Sequence, residues 1–108
     1  MLFSADDLKE WLVKHDAEKR CHDSFWLSLN NYKTEEPDEY QEYFSNFDPS
    51  KLLLKVESVS ISYLNYPDLN YNHVRVYMPI RYQDKKIGYY ELWLAFDGTV
   101  EDDYFVLE

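Results

Sequence analysis

Cys21, His22 and Asp23 stand side by side, with His15 shortly before them. A thiol, an imidazole and a carboxylate are the residue types of a nucleophile, its base and an orienting acid. Sequence neighbours do not in general point together, and a catalytic pair must meet in space. The expectation is therefore a set of solvated helix-end residues. The same residues offer metal donors, but their spacing fits no closed zinc site, and Cys21 is the only cysteine. No metal, no cofactor and no catalytic set is expected.

A second group has more promise. His73, Arg75, Tyr77, Arg81, Glu91 and Trp93 fall on two neighbouring stretches of alternating pattern. One reading is a pocket with a carboxylate or imidazole base and an arginine that holds an anion. The other is ordinary cross-strand pairing, Arg with Glu and Tyr with Trp, and that is the expectation. Only two glycines are present, so a phosphate-cradling loop is excluded.

The densest charge lies elsewhere. Glu35, Glu36, Asp38, Glu39, Glu42 and Asp48 are six acids with no base among them, interleaved with Tyr40, Tyr43, Phe44 and Phe47. Asp97, Glu101, Asp102 and Asp103 make a smaller patch. On a helix the aromatic residues would anchor one side and Asp38, Glu39 and Glu42 would face water. Carboxylates about one turn apart would present an acidic docking face, and spaced charges of that kind can imitate phosphates. The plain alternative is an amphipathic helix with a solvated face. The expected partner-contacting residues are Glu35, Glu36, Asp38, Glu39, Tyr40, Glu42, Tyr43, Asp102, Asp103 and Trp93.

Whole-chain properties point the same way. The chain has 108 residues, the size of one domain, spanning 1–108. It carries 21 acidic against 11 basic residues, a net charge of −10, with 12 acids and 5 bases in residues 1–50. Direct binding to a phosphate backbone requires clustered Lys and Arg and is not expected. Such charge suits a basic partner, attracted from a distance. Eleven Tyr, six Phe and three Trp suit both an antiparallel sheet and an interface. The first seven residues have neither a basic start nor a long apolar run, so no secretory leader is expected. With a lone thiol and no apolar span, the expected location is the cytosol, away from membranes.

The elements that position these residues follow from periodicity. Ser4 is an N-cap, Asp6 and Asp7 fill a first turn, and Leu8, Trp11 and Leu12 share a face. That pattern predicts a helix over 4–20. Phe25, Leu27 and Leu29 alternate, which predicts a short strand within 24–32. Pro37 suits a first helical position, and Pro49 ends the helix that follows. Leu52, Leu54 and Val56 share one face. Beyond Ser58 the apolar set becomes Val59, Ile61 and Tyr63, the phase change of a β-bulge. Val74 to Tyr82 alternates, residues 83–86 turn, and Tyr90, Leu92, Leu94 and Phe96 continue. A two-residue Asp97-Gly98 turn would pair Phe96 with Thr99 and Trp93 with Asp102. Val100, Asp102, Tyr104 and Val106 would then share the Trp93 face, a mixed surface fit for a pocket, a homodimer or another protein.

The expected fold is α+β, with N-terminal helices on a bulged four-stranded antiparallel meander, five-stranded if residues 24–32 join it. In element order it resembles the cystatin-like and nuclear-transport-factor-2-like folds. In size, acidity and lack of catalytic residues it is similar to bacterial toxin-immunity proteins and phage-encoded inhibitors. The similarity implies a non-enzymatic cytosolic inhibitor of a basic partner, foremost a nuclease-type toxin. The alternatives are a nucleic-acid mimic against a host defence enzyme, and a small-molecule pocket protein or enzyme using the sheet.

Overall fold

The computed structural model describes residues 4–108. The leaderless reading rests in part on Met1 to Phe3, which lie outside that range. Three helices come first: α1 (Ala5–Lys14), α2 (Ala17–Glu35) and α3 (Pro37–Phe44). A 3-10 turn, Pro49–Lys51, leads into five strands: β1 (Leu52–Leu54), β2 (Ser58–Leu64), β3 (Tyr71–Tyr82), β4 (Lys85–Ala95) and β5 (Val100–Leu107). All strand pairings are antiparallel, and the helices pack on one face of the sheet. The fold is α+β.

The helix expected over 4–20 breaks at His15 and Asp16. Ser4 caps α1 as expected, its hydroxyl accepting from the Asp7 amide. Asp16 takes φ 53°, a left-handed conformation that Asp tolerates better than most residues. Arg20 then donates to the carbonyl oxygens of both His15 and Gly98. This cation satisfies the C-terminal end of α1 and ties the break to the β4–β5 loop.

Residues 24–32 are helix, not strand. The periodicity that decides is Cys21, Phe25, Leu29 and Tyr32, which put one stripe of α2 against the sheet, the first three of them buried. Leu27, which made the sequence alternate, is exposed. Burial of a side chain such as Phe25 contributes roughly 1.5–3 kcal/mol, enough to override a weak local pattern.

β1 and β2 are two halves of one strand, and both pair with β3. Leu54 lies opposite Ile80 and Ser58 opposite Tyr77, so three residues, 55–57, face two. This is the expected bulge. Pro79 sits opposite it and has no N–H to give to the ladder. The phase change keeps Leu52 and Leu54, then Val59 and Ile61, on the helix side. The meander therefore forms without the 24–32 segment.

The β4–β5 connection departs from expectation. Ala95, rather than Phe96, meets Thr99 through an amide-to-carbonyl bond of 2.8 Å. The loop is three residues, closed by Gly98 at φ 91°. Trp93 still pairs with Asp102, because Leu94 pairs with Val100 and leaves Glu101 as an extra, bulged residue. Val100 thus leaves the Trp93 face. Gly98 is needed twice over, since a Cβ there would lie 2.2 Å from the His15 ring.

Candidate functional site

The acidic run caps the C-terminal end of α2 and covers α3. Pro37 opens α3 as expected, and the helix ends at Phe44. Tyr40 and Phe44 are buried, Tyr40 packing on Tyr32 and Phe44, and Phe44 on Tyr82. Glu35, Glu36, Asp38, Glu39 and Glu42 are all exposed. Among the described residues none of the five is in an ion pair. Tyr40 is corrected as a contact residue: at 5% exposure it is core. Tyr43 is half-buried, its hydroxyl donating to the Glu108 carbonyl oxygen at 3.4 Å. Asp48 is a local cap, accepting from the Ser50 amide and hydroxyl, which hold its carboxyl below the usual range.

The opposite face of the sheet carries none of the described helices, and its side chains cover one another instead. The His73 ring stacks on the Trp93 indole at 4.2 Å and 16°, and Tyr71 packs on His73 at 5.3 Å. Tyr104 lies 4.9 Å from Trp93 and donates to Asp102. Arg75 stands over the same indole at 5.0 Å and bonds both oxygens of Glu91, the shortest at 3.0 Å. Trp93 Nε1 also donates to Glu91, at 2.9 Å. The Arg–Glu pairing is the expected one. Trp93, however, pairs with His73 and Tyr104, while Tyr77 packs on Tyr89.

This cross-bracing decides what the face can do. Glu91 accepts from a guanidinium and an indole, so it is a bracket and not a free proton acceptor. His73 is fully buried, and neither ring nitrogen has a hydrogen-bond partner among the described residues. Burial pushes its pKa below the ordinary value, and the carboxylates of Glu101 and Glu91 only partly oppose this. Around the indole Tyr71 and Tyr104, each 40% exposed, and the carboxylate of Asp102 remain open to solvent, together with part of the Arg75 side chain and, over Tyr77, Lys86. The Glu101 carboxylate beside it holds the Tyr71 phenol above its usual range.

The expected contact residues therefore divide between two faces. Trp93 and Asp102 lie on the uncovered face. The α3 carboxylates lie on the helix side with Asp103, which accepts from Tyr90 at 2.8 Å and Ser28 at 3.1 Å. A single flat partner cannot touch both sets. Two residues of the uncovered face, Tyr71 and Glu101, were not among those expected. Tyr71 shares the parity of His73 and Arg75 and was readable had the strand been begun earlier. Glu101 joins the face only through its bulge, which has no plain sequence signal.

Cys21 belongs to the core. It is fully buried, and desolvation, aided by the charge of Glu18, pushes its thiol up to about 12. It lies on the helix side, away from His73. His15 packs on Trp11 at 4.5 Å. Among the described residues no group of three or more His, Cys, Asp or Glu side chains is placed to hold a metal ion. No described helix is long and apolar enough to cross a membrane. No family model matches the chain, and neither do the curated proteins or the solved structures with which it was compared.

Proposed function

We propose that this protein is a binding module that occludes a basic protein, in the manner of an immunity protein against a nuclease-type toxin. The observation that carries the reading is the uncovered sheet face, where Tyr71, His73, Trp93 and Tyr104 pack ring against ring, with His73 and Trp93 stacked face to face, and are edged by Asp102. Rigid aromatic side chains lose little entropy on binding and supply most hot spots. The Arg75–Glu91 brace holds Trp93 in place before any partner arrives. A net charge of −10 selects a basic partner over an acidic one.

A second reading has its own support. Five exposed carboxylates over residues 35–42, free of ion pairs among the described residues, suit mimicry of a phosphate backbone. The partner would then be a nucleic-acid-binding enzyme, met by the helix side. Affinity capture from the source organism, followed by measurement of the captured partner's affinity, separates the two. Trp93→Ala weakens binding at least tenfold under the first reading. The Glu39→Lys, Glu42→Lys pair does so under the second. No basic protein retained by the wild type, or retention unaffected by either change, removes both.

A further inference from the structure

Two irregularities of the chain meet at one place. The break between α1 and α2 lies over the bulge between β1 and β2, and neither the helices nor the strand closes the space between them. The result is a hollow of about 230 Å³. Ala17 and Val76, both fully buried, form its floor. Leu12, Val56 and Val59 form its walls, each half-buried. Val13 is its lip and is 81% exposed, which nothing in the packing of α1 explains. The polar lining comes from Asp16 and Glu18, and among the described residues no Lys or Arg lines the space.

The geometry points to this hollow as a site for an alkylammonium group, an aliphatic chain that ends in a cation. The apolar floor and walls take the chain, and removal of that surface from water drives entry. Asp16 and Glu18 meet the charge at the rim. The α1 C-terminus and the α2 N-terminus face each other there, so their opposed partial charges offset and the two carboxylates set the sign. Nearby Arg20 is engaged with the His15 and Gly98 carbonyl oxygens and does not neutralise them. The inference does not depend on the uncovered sheet face, which lies on the other side of the sheet. The chemistry is shared by a free small amine and by a lysine side chain presented by another protein.

The test is a titration of the intact chain with n-hexylammonium chloride, followed by amide chemical shifts. One saturable isotherm is expected at the amides of Val13, Ala17, Val56 and Val59. Each methylene removed from the probe should weaken binding about fourfold. Hexanol, of equal length and no charge, should bind at least fivefold more weakly. The Asp16→Asn, Glu18→Gln protein should lose that discrimination. Asn accepts a left-handed backbone, so this variant keeps the fold, and the shift pattern of unliganded protein verifies it. A blocked lysine that shifts the same amides assigns the hollow to a protein side chain, and one that does not assigns it to free amines. Non-saturating shifts spread over the acidic surface, or equal affinity for hexanol and hexylammonium, would overturn the assignment.

Discussion

His73 and Trp93 stack face to face at 4.2 Å on a sheet surface that none of the described helices covers, and both imidazole nitrogens are without partners among the described residues. A buried neutral imidazole beside an indole is a stable arrangement only while it stays uncharged. Its pKa is lowered on folding, first by desolvation, then modified by Glu101, Arg75 and Glu91. Below the ordinary value of 6.5 the unfolded chain binds the proton more readily than the folded one. Stability is therefore full above that pH and declines as pH falls below it. Urea unfolding at pH 7.5 and 5.5 should show the loss, and His73→Phe, which keeps a ring on Trp93, should remove much of that slope. An unchanged slope in His73→Phe would place the pH dependence elsewhere.

Gly98 faces the ring of His15 across the contact between α1 and the β4–β5 loop. Gly98→Ala is expected to cost about 1–2 kcal/mol from its positive φ alone, with a clash against His15 in addition. His15→Ala in the same chain removes the clash but not the backbone strain. The double variant should thus be more stable than the two single losses sum to, by denaturant midpoint. Strict additivity would mean that the two residues do not meet.

The sequence carried the sheet well because half-buried strands of ten residues repeat a period of two many times. Val74 to Tyr82 and Tyr90 to Leu94 left no second solution. The 55–57 bulge was legible as a phase change for the same reason. Residues 24–32 were not, since Phe25, Leu27 and Leu29 satisfy both periods over so short a run. The arbiter was Cys21 and Tyr32 on either side, which extend only the helical stripe. The contact residues were found by type, but a type does not reveal its face. Asp102 and Asp103 are neighbours that point to opposite sides of the sheet, and Tyr40 lost its place at the surface because α3 turns that ring toward Tyr32.

Cys21 should behave as a core residue and not as a reagent. With the thiol pushed up to about 12 and no surface exposed, labelling by a disulfide reagent at pH 7.5 requires opening of the fold. Labelling should be slow in buffer and immediate in denaturant. Cys21→Ser should destabilise by about 1–3 kcal/mol by burying a hydroxyl without a ready partner. Fast labelling of the native protein would contradict the packing of α2 on the sheet.

The two candidate contact faces can be told apart by salt. The α3 carboxylates are exposed and in no ion pair among the described residues, so their contribution to binding would be long-range and screened over about 8–10 Å at physiological salt. Trp93 and Tyr104 act by contact and are insensitive to screening. If the uncovered sheet face binds the partner, Trp93→Ala should raise the dissociation rate at least tenfold with little change in the salt slope. The Glu39→Lys, Glu42→Lys protein should then slow association modestly and keep the complex lifetime. Its fold should survive, because exposed unpaired charges contribute little to stability. If the helix face binds instead, the charge reversal should abolish the salt slope and Trp93→Ala should leave both rates intact. The Arg75–Glu91 brace supplies a further check that only the first case predicts. Arg75→Lys cannot reproduce the forked bond to Glu91, so it should loosen Trp93 and weaken binding without any change in surface charge. Full affinity in Arg75→Lys and in Trp93→Ala together would leave the sheet face as a closed structural layer.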